Sequence, residues 1–171
     1  MIFAVFRDED GRGRVVWPGH EVRAAIGRGG FLPAGEKREG DGAGPIGAWP
    51  IRRVLYRPDK LGPPKTGLPT QAIRRTTAGA TPPLDEAYNH PVTLPYPASA
   101  ERMWRDDHVY DLVVVLGHND DPTVPDAGSA IFLHLARPDY SPTEGCVALA
   151  RPDLEALLAA AKPGDLLEIR D

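Results

Sequence analysis

The chain has 171 residues, a single cysteine and a formal net charge of −4, from 20 Lys and Arg against 24 Asp and Glu. Its length suits one domain, residues 1–171, with a core of its own, and one cysteine excludes an internal disulfide. The weak negative charge, without any basic block, argues against a nucleic-acid partner.

The sequence predicts neither a membrane span nor an export signal. The longest apolar runs, Leu112–Leu116 and Leu154–Ala161, are too short to cross a bilayer. The first residues, Met1–Asp10, predict a strand followed by a polar turn. They contain no basic stretch, no long apolar stretch and no small-residue cleavage site.

Short strands are expected along most of the chain. Nineteen prolines and eighteen glycines interrupt it too often for a helical bundle. Runs rich in β-branched and apolar residues predict strands over Ile2–Phe6, Arg14–Trp17, Val22–Ile26, Pro50–Tyr56, Gln71–Thr76, Tyr110–Leu116, Ala130–Ala136 and Leu166–Arg170.

The proline-rich segment Leu61–Pro97 has little periodicity outside Gln71–Thr76. A segment of this length within a compact domain is typical of a functional loop or a lid over a cleft. A short helical turn is predicted over Ser99–Arg105.

One helix is predicted near the C-terminus. Pro152 suits the first turn, Asp153 and Glu155 suit its positive end, and Pro163-Gly164 ends it. An apolar face is formed by Leu154, Leu157, Leu158 and Ala161. The fold class predicted from these elements is mainly β (α+β), with a C-terminal helix.

The single cysteine, Cys146, lies in the run Ser141-Pro-Thr-Glu-Gly-Cys-Val-Ala-Leu149, downstream of His134 at the end of an apolar run. An imidazole near a thiol is the usual means of making a thiolate nucleophile. Gly145 allows a tight turn whose N–H groups could hold an oxyanion. The alternative is that Cys146 is a small buried apolar side chain, as most free cysteines are.

The run from His134 to Leu149 resembles the active-site motif of the L,D-transpeptidase (YkuD-type) catalytic domain. In that family an upstream His is followed by Ser/Thr-His-Gly-Cys. A second segment, Glu36-Lys-Arg-Glu-Gly-Asp-Gly-Ala-Gly-Pro-Ile-Gly-Ala-Trp-Pro-Ile51, is similar to the family's Lys…Gly-Asp-Gly-x-x-Pro-x-Gly-x-aromatic-x-Ile segment. The resemblance implies a β-sandwich or mixed sheet with the C-terminal helix beside Cys146.

The sequence departs from the family pattern at several positions. Glu144 replaces the usual His before Gly-Cys, Ala148 replaces the common Arg or Asn, and Leu135 follows His134 in place of Gly or Ser. The short His-to-Cys spacing resembles the compact proteobacterial branch of the family. Some members of that branch join L-Ala of one stem to diaminopimelate of another, a 1,3 rather than a 3,3 crosslink.

The resemblance implies a cysteine acyltransferase that forms peptidoglycan crosslinks through a thioester on Cys146, with His134 as general base and acid. It implies backbone N–H groups of Glu144, Gly145 and Cys146 as oxyanion donors, and a backbone carbonyl near Leu135 or Ala136 that orients His134. Thr143 either hydrogen-bonds near the thiol or shapes the turn, and the turn is the preferred interpretation.

The partners implied are donor and acceptor peptidoglycan stem peptides, in the cell envelope or periplasm, with the chain acting as a monomer. No cofactor is implied, and the His spacing predicts no metal site. Substrate contacts are expected from Arg102 and Trp104 and from His118 and Asn119. A surface Arg beside a core Trp, and a solvated loop at residues 118–119, are the respective alternatives.

Two other functions are compatible with the residues. A cysteine-dependent cell-wall peptidase or carboxypeptidase uses water as acceptor, and a non-catalytic glycan-binding module needs neither Cys146 nor His134. A catalytic Cys146 is expected to react as a thiol whose pKa lies well below the free value of about 8.5.

Overall fold

The computed structural model describes the whole chain, Met1–Asp171. It contains thirteen strands and one helix. The elements in chain order are β1 Ile2–Arg7, β2 Gly13–Trp17, β3 His20–Ala25, β4 Phe31–Pro33, β5 Gly44–Tyr56, β6 Thr70–Ala72, β7 Thr77–Ala80, β8 Pro91–Thr93, β9 Ala100–Arg102, β10 Leu112–Leu116, β11 Phe132–Leu135, β12 Val147–Leu149, α1 Arg151–Ala160 and β13 Leu166–Ile169. The mainly β class with one C-terminal helix is confirmed.

The main sheet closes on itself because β5 pairs with two different strands. Its first part, Gly47–Pro50, runs antiparallel to β13, and its last part, Ile51–Tyr56, runs antiparallel to β10. From β10 the order continues β11-β12-β3-β2-β1-β13 and so returns to β5. Parallel pairs join β1 to β13 and β11 to β12. The sheet is therefore mixed and ring-like.

Local chemistry explains the tightest connection in this sheet. Only Pro18 and Gly19 separate β2 from β3, and Trp17 pairs with His20 across the hairpin. Proline presets the backbone of the first turn position, and Gly19 takes the positive φ of 79° that the second position needs.

The helix packs its leucines into the main core. Leu154, Leu157 and Leu158 are fully buried, in one cluster with Phe3, Leu133 and other sheet residues. Pro152 lies at the start of the helix and Asp153 in its first turn. Because α1 follows β12 directly, this packing also holds the strand next to Cys146.

A smaller sheet, in the order β8-β7-β9, lies outside the ring. It changes two expectations from the sequence. The segment Leu61–Pro97 contains β6, β7 and β8, and the predicted helical turn at Ser99–Arg105 is wrong, because Ala100–Arg102 forms β9 against β7. Strands of three residues are too short to show an alternating pattern, and their hydrogen bonds come from partners distant in sequence.

We expect Leu157→Ala to destabilise the protein by about 2–5 kcal/mol, because it leaves a cavity where a fully buried leucine packed. Leu84→Ala is the matched control, since Leu84 is 94 % exposed, and it should change stability by less than about 0.5 kcal/mol. Urea unfolding of both variants measures the difference. Equal losses of unfolding free energy in the two variants would contradict the packing of α1 into the core.

Candidate active site

A cavity of about 340 Å³ contains both residues of the predicted catalytic pair. Cys146 and His134 line it, together with Thr143 and Glu144 of the turn before the thiol. From the sequence, the proximity of these residues could be inferred only from their motif. The structure places them at one concave site.

The parallel pairing of β11 and β12 brings the thiol and the imidazole together. His134 pairs with Ala148 and Leu133 with Val147, so Cys146, one residue before β12, lies beside Phe132. Side chains two residues apart on a strand share a face, and paired residues of neighbouring strands point the same way. Cys146 and His134 therefore project from the same face of the sheet.

Ala148 occupies the position paired with His134, where the family commonly has Arg or Asn. It is buried with Ala25 and Ala136 in a small cluster of alanines. A methyl group here packs within the protein, so any charged contact with a ligand must come from another residue.

His134 is held by a backbone carbonyl, as expected from the sequence. Its Nδ1–H donates to Leu135 O at 3.0 Å, which leaves Nε2 as the unprotonated nitrogen of the neutral ring. Tyr110 packs edge-on against the ring at 5.3 Å between centroids. Burial lowers the pKa of His134 to about 4, although the bond to Leu135 acts in the opposite direction.

The Cys146 sulphur has two backbone contacts of opposite sense. Its S–H donates to Ala130 O at 3.3 Å, and Phe132 N–H donates to Sγ at 3.4 Å. Burial raises the pKa of the thiol to about 12, and the Phe132 bond only partly opposes this. Both shifts therefore favour the neutral forms of the thiol and the imidazole.

This resting state differs from the expectation that the thiol pKa lies well below its free value. The physical reason is desolvation, because burial disfavours the thiolate and the imidazolium alike. Burial therefore acts against a preformed ion pair of thiolate and imidazolium.

The turn Thr143–Cys146 is organised by its own threonine. Thr143 Oγ1 donates to Cys146 O at 2.5 Å and accepts Gly145 N–H at 3.2 Å. Gly145 N–H is thereby used within the turn, whereas the N–H groups of Glu144 and Cys146 have no acceptor. Those two, and not Gly145, are the free donors at the base of the cavity.

Two glycine-rich segments support this turn from behind. Thr143 N–H donates to Ile26 O and Arg28 N–H donates to Thr143 O, both at 2.9 Å. Gly145 has a φ of 127°, and a Cβ there would lie 2.8 Å from Ala43 O, so only glycine fits. The close approach of residues 42–44 thus requires the glycine that precedes the cysteine.

The segment at Ala43 is itself fixed by a buried lysine. Lys37 is 3 % exposed, and its Nζ donates to Asp41 at 2.8 Å. Asp41 also accepts Ala43 N–H at 2.8 Å. Burial pushes the pKa of Asp41 upward, but the hydrogen bonds from Arg38, Lys37 and Ala43 hold it below its ordinary value. The Gly-Asp-Gly motif therefore shapes the wall behind Gly145.

Glu144, which stands where the family has His, points away from this network. Its carboxylate pairs with Arg28 at 2.9 Å, and its side chain is largely exposed. The Arg28 guanidinium also donates to Gly40 O. This ion pair joins the rim of the turn to the glycine segment at residues 27–30.

Four predicted substrate-binding residues lie outside the cavity. Arg102 is exposed on β9, and the guanidinium groups of Arg57 and Arg75 both lie over the ring of Trp104, at 3.8 and 4.8 Å from its centroid. His118 is buried against the edge of Trp49, where burial lowers its pKa to about 4. Asn119 uses its amide within its own loop, bonding Val124 and Gly128.

Several residues of the site had no signal in the sequence. The carbonyl of Ala130 and the N–H of Phe132 contact the thiol through the backbone, and any residue type offers these groups. Arg137 lines the cavity but follows a strand as an ordinary charged residue. The contact between the Gly27–Gly30 segment and Thr143 had no signal in the sequence either, because it joins residues far apart along the chain.

Two other features bear on function. No group of three or more His, Cys, Asp or Glu side chains is placed to hold a metal ion. None of the helical structure is long and apolar enough to cross a membrane.

No curated protein sequence matched the chain. The family model of the L,D-transpeptidase catalytic domain, YkuD, matches residues 3–169, essentially the whole chain. The resemblance inferred from the two sequence motifs is confirmed. The chain belongs to the L,D-transpeptidase (YkuD) catalytic-domain family.

Proposed function

We propose that residues 1–171 form one catalytic domain that crosslinks peptidoglycan stem peptides by acyl transfer through Cys146. Support comes from one cavity that holds a thiol, an imidazole with a free Nε2 and two unpaired backbone N–H groups. A nucleophile, a base and oxyanion donors are the parts that acyl transfer requires.

In the first half-reaction, Cys146 Sγ attacks an amide carbonyl of the donor stem while His134 Nε2 takes the thiol proton. The developing oxyanion accepts hydrogen bonds from Glu144 N–H and Cys146 N–H. Loss of one such donor typically costs about 3 kcal/mol of barrier. The imidazolium then protonates the departing amine, leaving a thioester on Cys146.

In the second half-reaction, the side-chain amine of an acceptor diaminopimelate attacks the thioester. His134 accepts a proton from this amine and returns it to the thiol as the new amide forms. Water as acceptor gives a trimmed stem instead. The resemblance to the compact branch favours the 1,3 linkage over 3,3, and the family favours a monomer acting in the cell envelope.

Arg137 is the proposed contact for a substrate carboxylate. The other charged side chains at the cavity have partners in the protein: Lys37 with Asp41, Arg105 with Asp107, Glu101 with Arg105, Glu144 with Arg28 and Glu39 with Tyr88. Arg137 is exposed and has no ion pair or side-chain hydrogen bond. A guanidinium suits bidentate binding of a carboxylate, and stem peptides carry such groups.

The central test is mass spectrometry of wild type and Cys146→Ala incubated with monomeric disaccharide-peptides that contain diaminopimelate. Wild type should form dimers, with an acyl adduct on Cys146, and Cys146→Ala should form neither. His134→Gln should lower the rate at least about 100-fold, because the general base is lost.

Fragmentation of the dimers distinguishes the 1,3 from the 3,3 bond. Trimmed monomers without dimers would assign a peptidase. Dimers formed equally by Cys146→Ala would contradict the proposed nucleophile.

The pH dependence of thiol alkylation tests the neutral resting pair. Since the pKa of Cys146 is raised to about 12, the thiolate fraction and the iodoacetamide rate should rise about tenfold per pH unit from pH 7 to 10. No plateau is expected in this range. A plateau below pH 8 would indicate a preformed thiolate–imidazolium pair.

For Arg137→Ala we expect the KM for carboxylate-bearing stems to rise about tenfold, since a hydrogen bond to a charged group contributes about 1.5–3 kcal/mol. The value of kcat should change little. Arg102→Ala is the matched control, because Arg102 lies outside the cavity. Initial rates measured against stem-peptide concentration give kcat and KM for both variants. If Arg137→Ala and Arg102→Ala have the same KM, Arg137 is not the carboxylate contact.

A further inference from the structure

Tyr88 and Asn89, within the segment predicted as a loop or lid, lie behind the cavity wall. Of residues 61–97, only Thr81 lines the cavity. The backbone at this point is tied to β7, since Asn89 N–H donates to Ala80 O at 2.9 Å and Ala80 N–H donates to His90 O at 3.0 Å. This segment therefore acts on the site from behind and does not cover it.

The side chain of Asn89 uses both ends of its amide. Oδ1 accepts Ala130 N–H at 3.0 Å, and Nδ2 donates to His118 O at 3.0 Å and Asn119 O at 2.8 Å. Asn89 itself has a φ of 59°, a left-handed conformation that asparagine tolerates better than most residues. The amide thus joins two loops that are distant in sequence.

Tyr88 holds the other end of the same segment. Its hydroxyl is buried, donates to Glu39 at 2.6 Å and accepts Gly128 N–H at 3.0 Å. The segment Gly128–Ala130 is therefore attached at both ends to neighbouring residues, Tyr88 and Asn89.

Ala130 needs this support because its backbone is strained. It has a φ of 53°, which costs a residue with a Cβ about 1–3 kcal/mol. In this conformation its carbonyl accepts the Cys146 S–H, two residues before the Phe132 N–H that donates to the same sulphur. The strained residue therefore sets one of the two contacts that place the thiol.

We propose that Asn89 is a positioning residue for the thiol of Cys146 and acts through the backbone of Ala130. It holds Ala130 in the left-handed conformation, and the carbonyl then directs the S–H and places the sulphur at the cavity wall. The inference rests on the proposed role of Cys146 as nucleophile.

Loss of this contact has two consequences of opposite direction. The Ala130 carbonyl stabilises the protonated thiol, because it accepts the S–H, so its release favours the thiolate and speeds alkylation. A sulphur displaced by about 1 Å from its reacting position can lose about 100-fold in rate. If Asn89 had only a structural role, its replacement in a folded protein would not make alkylation faster and acyl transfer slower at the same time.

Asn89→Gly is the decisive variant, because it removes all three amide bonds without straining the backbone at a positive φ. Asp126→Gly is the matched control. Asp126 also has a positive φ, of 64°, but it is exposed, makes no side-chain hydrogen bond and does not line the cavity. Tyr88→Phe releases the Gly128 end and leaves Asn89 intact.

Alkylation by iodoacetamide from pH 7 to 10 and stem-peptide crosslinking are measured on each variant, with thermal unfolding as a check of folding. For Asn89→Gly we expect kcat to fall about 10–100-fold, with KM within about threefold and alkylation at pH 8 several times faster. Asp126→Gly should match wild type. Tyr88→Phe should change both rates in the direction of Asn89→Gly, by a smaller factor.

The inference is overturned if Asn89→Gly has the same kcat and the same alkylation rate as wild type. It is also overturned if Asp126→Gly loses as much kcat as Asn89→Gly. If Asn89→Gly does not fold, Tyr88→Phe decides, and unchanged rates there overturn it. If wild type forms neither dimers nor an acyl adduct, the proposed function is wrong. The two failures can be told apart, because the alkylation profiles report on the position of the thiol without any stem peptide.

Discussion

The parallel pairing of β11 with β12 is the constraint on which the site depends. It places Cys146 beside Phe132 and sets His134 two residues further along the same face. Neither residue needs a side-chain partner for this, because sheet hydrogen bonds determine the register and the register determines the face. The helix that follows β12 packs three fully buried leucines into the core and thereby holds the strand in place.

Around this pair the protein uses backbone groups where many enzymes use side chains. His134 is oriented by the Leu135 carbonyl, and the sulphur is contacted by the Ala130 carbonyl and the Phe132 N–H. Such groups carry no net charge, so the bonds with Leu135 and Phe132 only partly offset the effect of burial on the pKa values of the imidazole and the thiol. Both pKa shifts therefore favour an uncharged centre of the site, with charged side chains at its rim.

Much of the fold and the central pair could be predicted from the sequence. Strands such as β1 and β10, the helix with its Pro152 start, and the pairing of His134 with Cys146 all depend on patterns within a few residues or on motifs. Prediction failed for β9 and missed β4, β8 and β12, which have three residues each and exist because longer strands lie beside them. The expected substrate contacts of Arg102 and Trp104 stay a prediction, and in the structure neither residue lines the cavity of Cys146 and His134.

The sequence by itself determined the mainly β class, the family and the choice of Cys146 and His134 as the candidate pair, because turns, apolar patterns and the Gly-Cys motif are local. Only the tertiary structure decided the burial of the pair, which shifts both pKa values toward the neutral forms. It also decided which N–H groups remain free, since Thr143 occupies that of Gly145. The contact between Asn89 and Ala130 joins residues 41 positions apart, and no local pattern encodes it, because it depends on how the closed sheet brings its loops together.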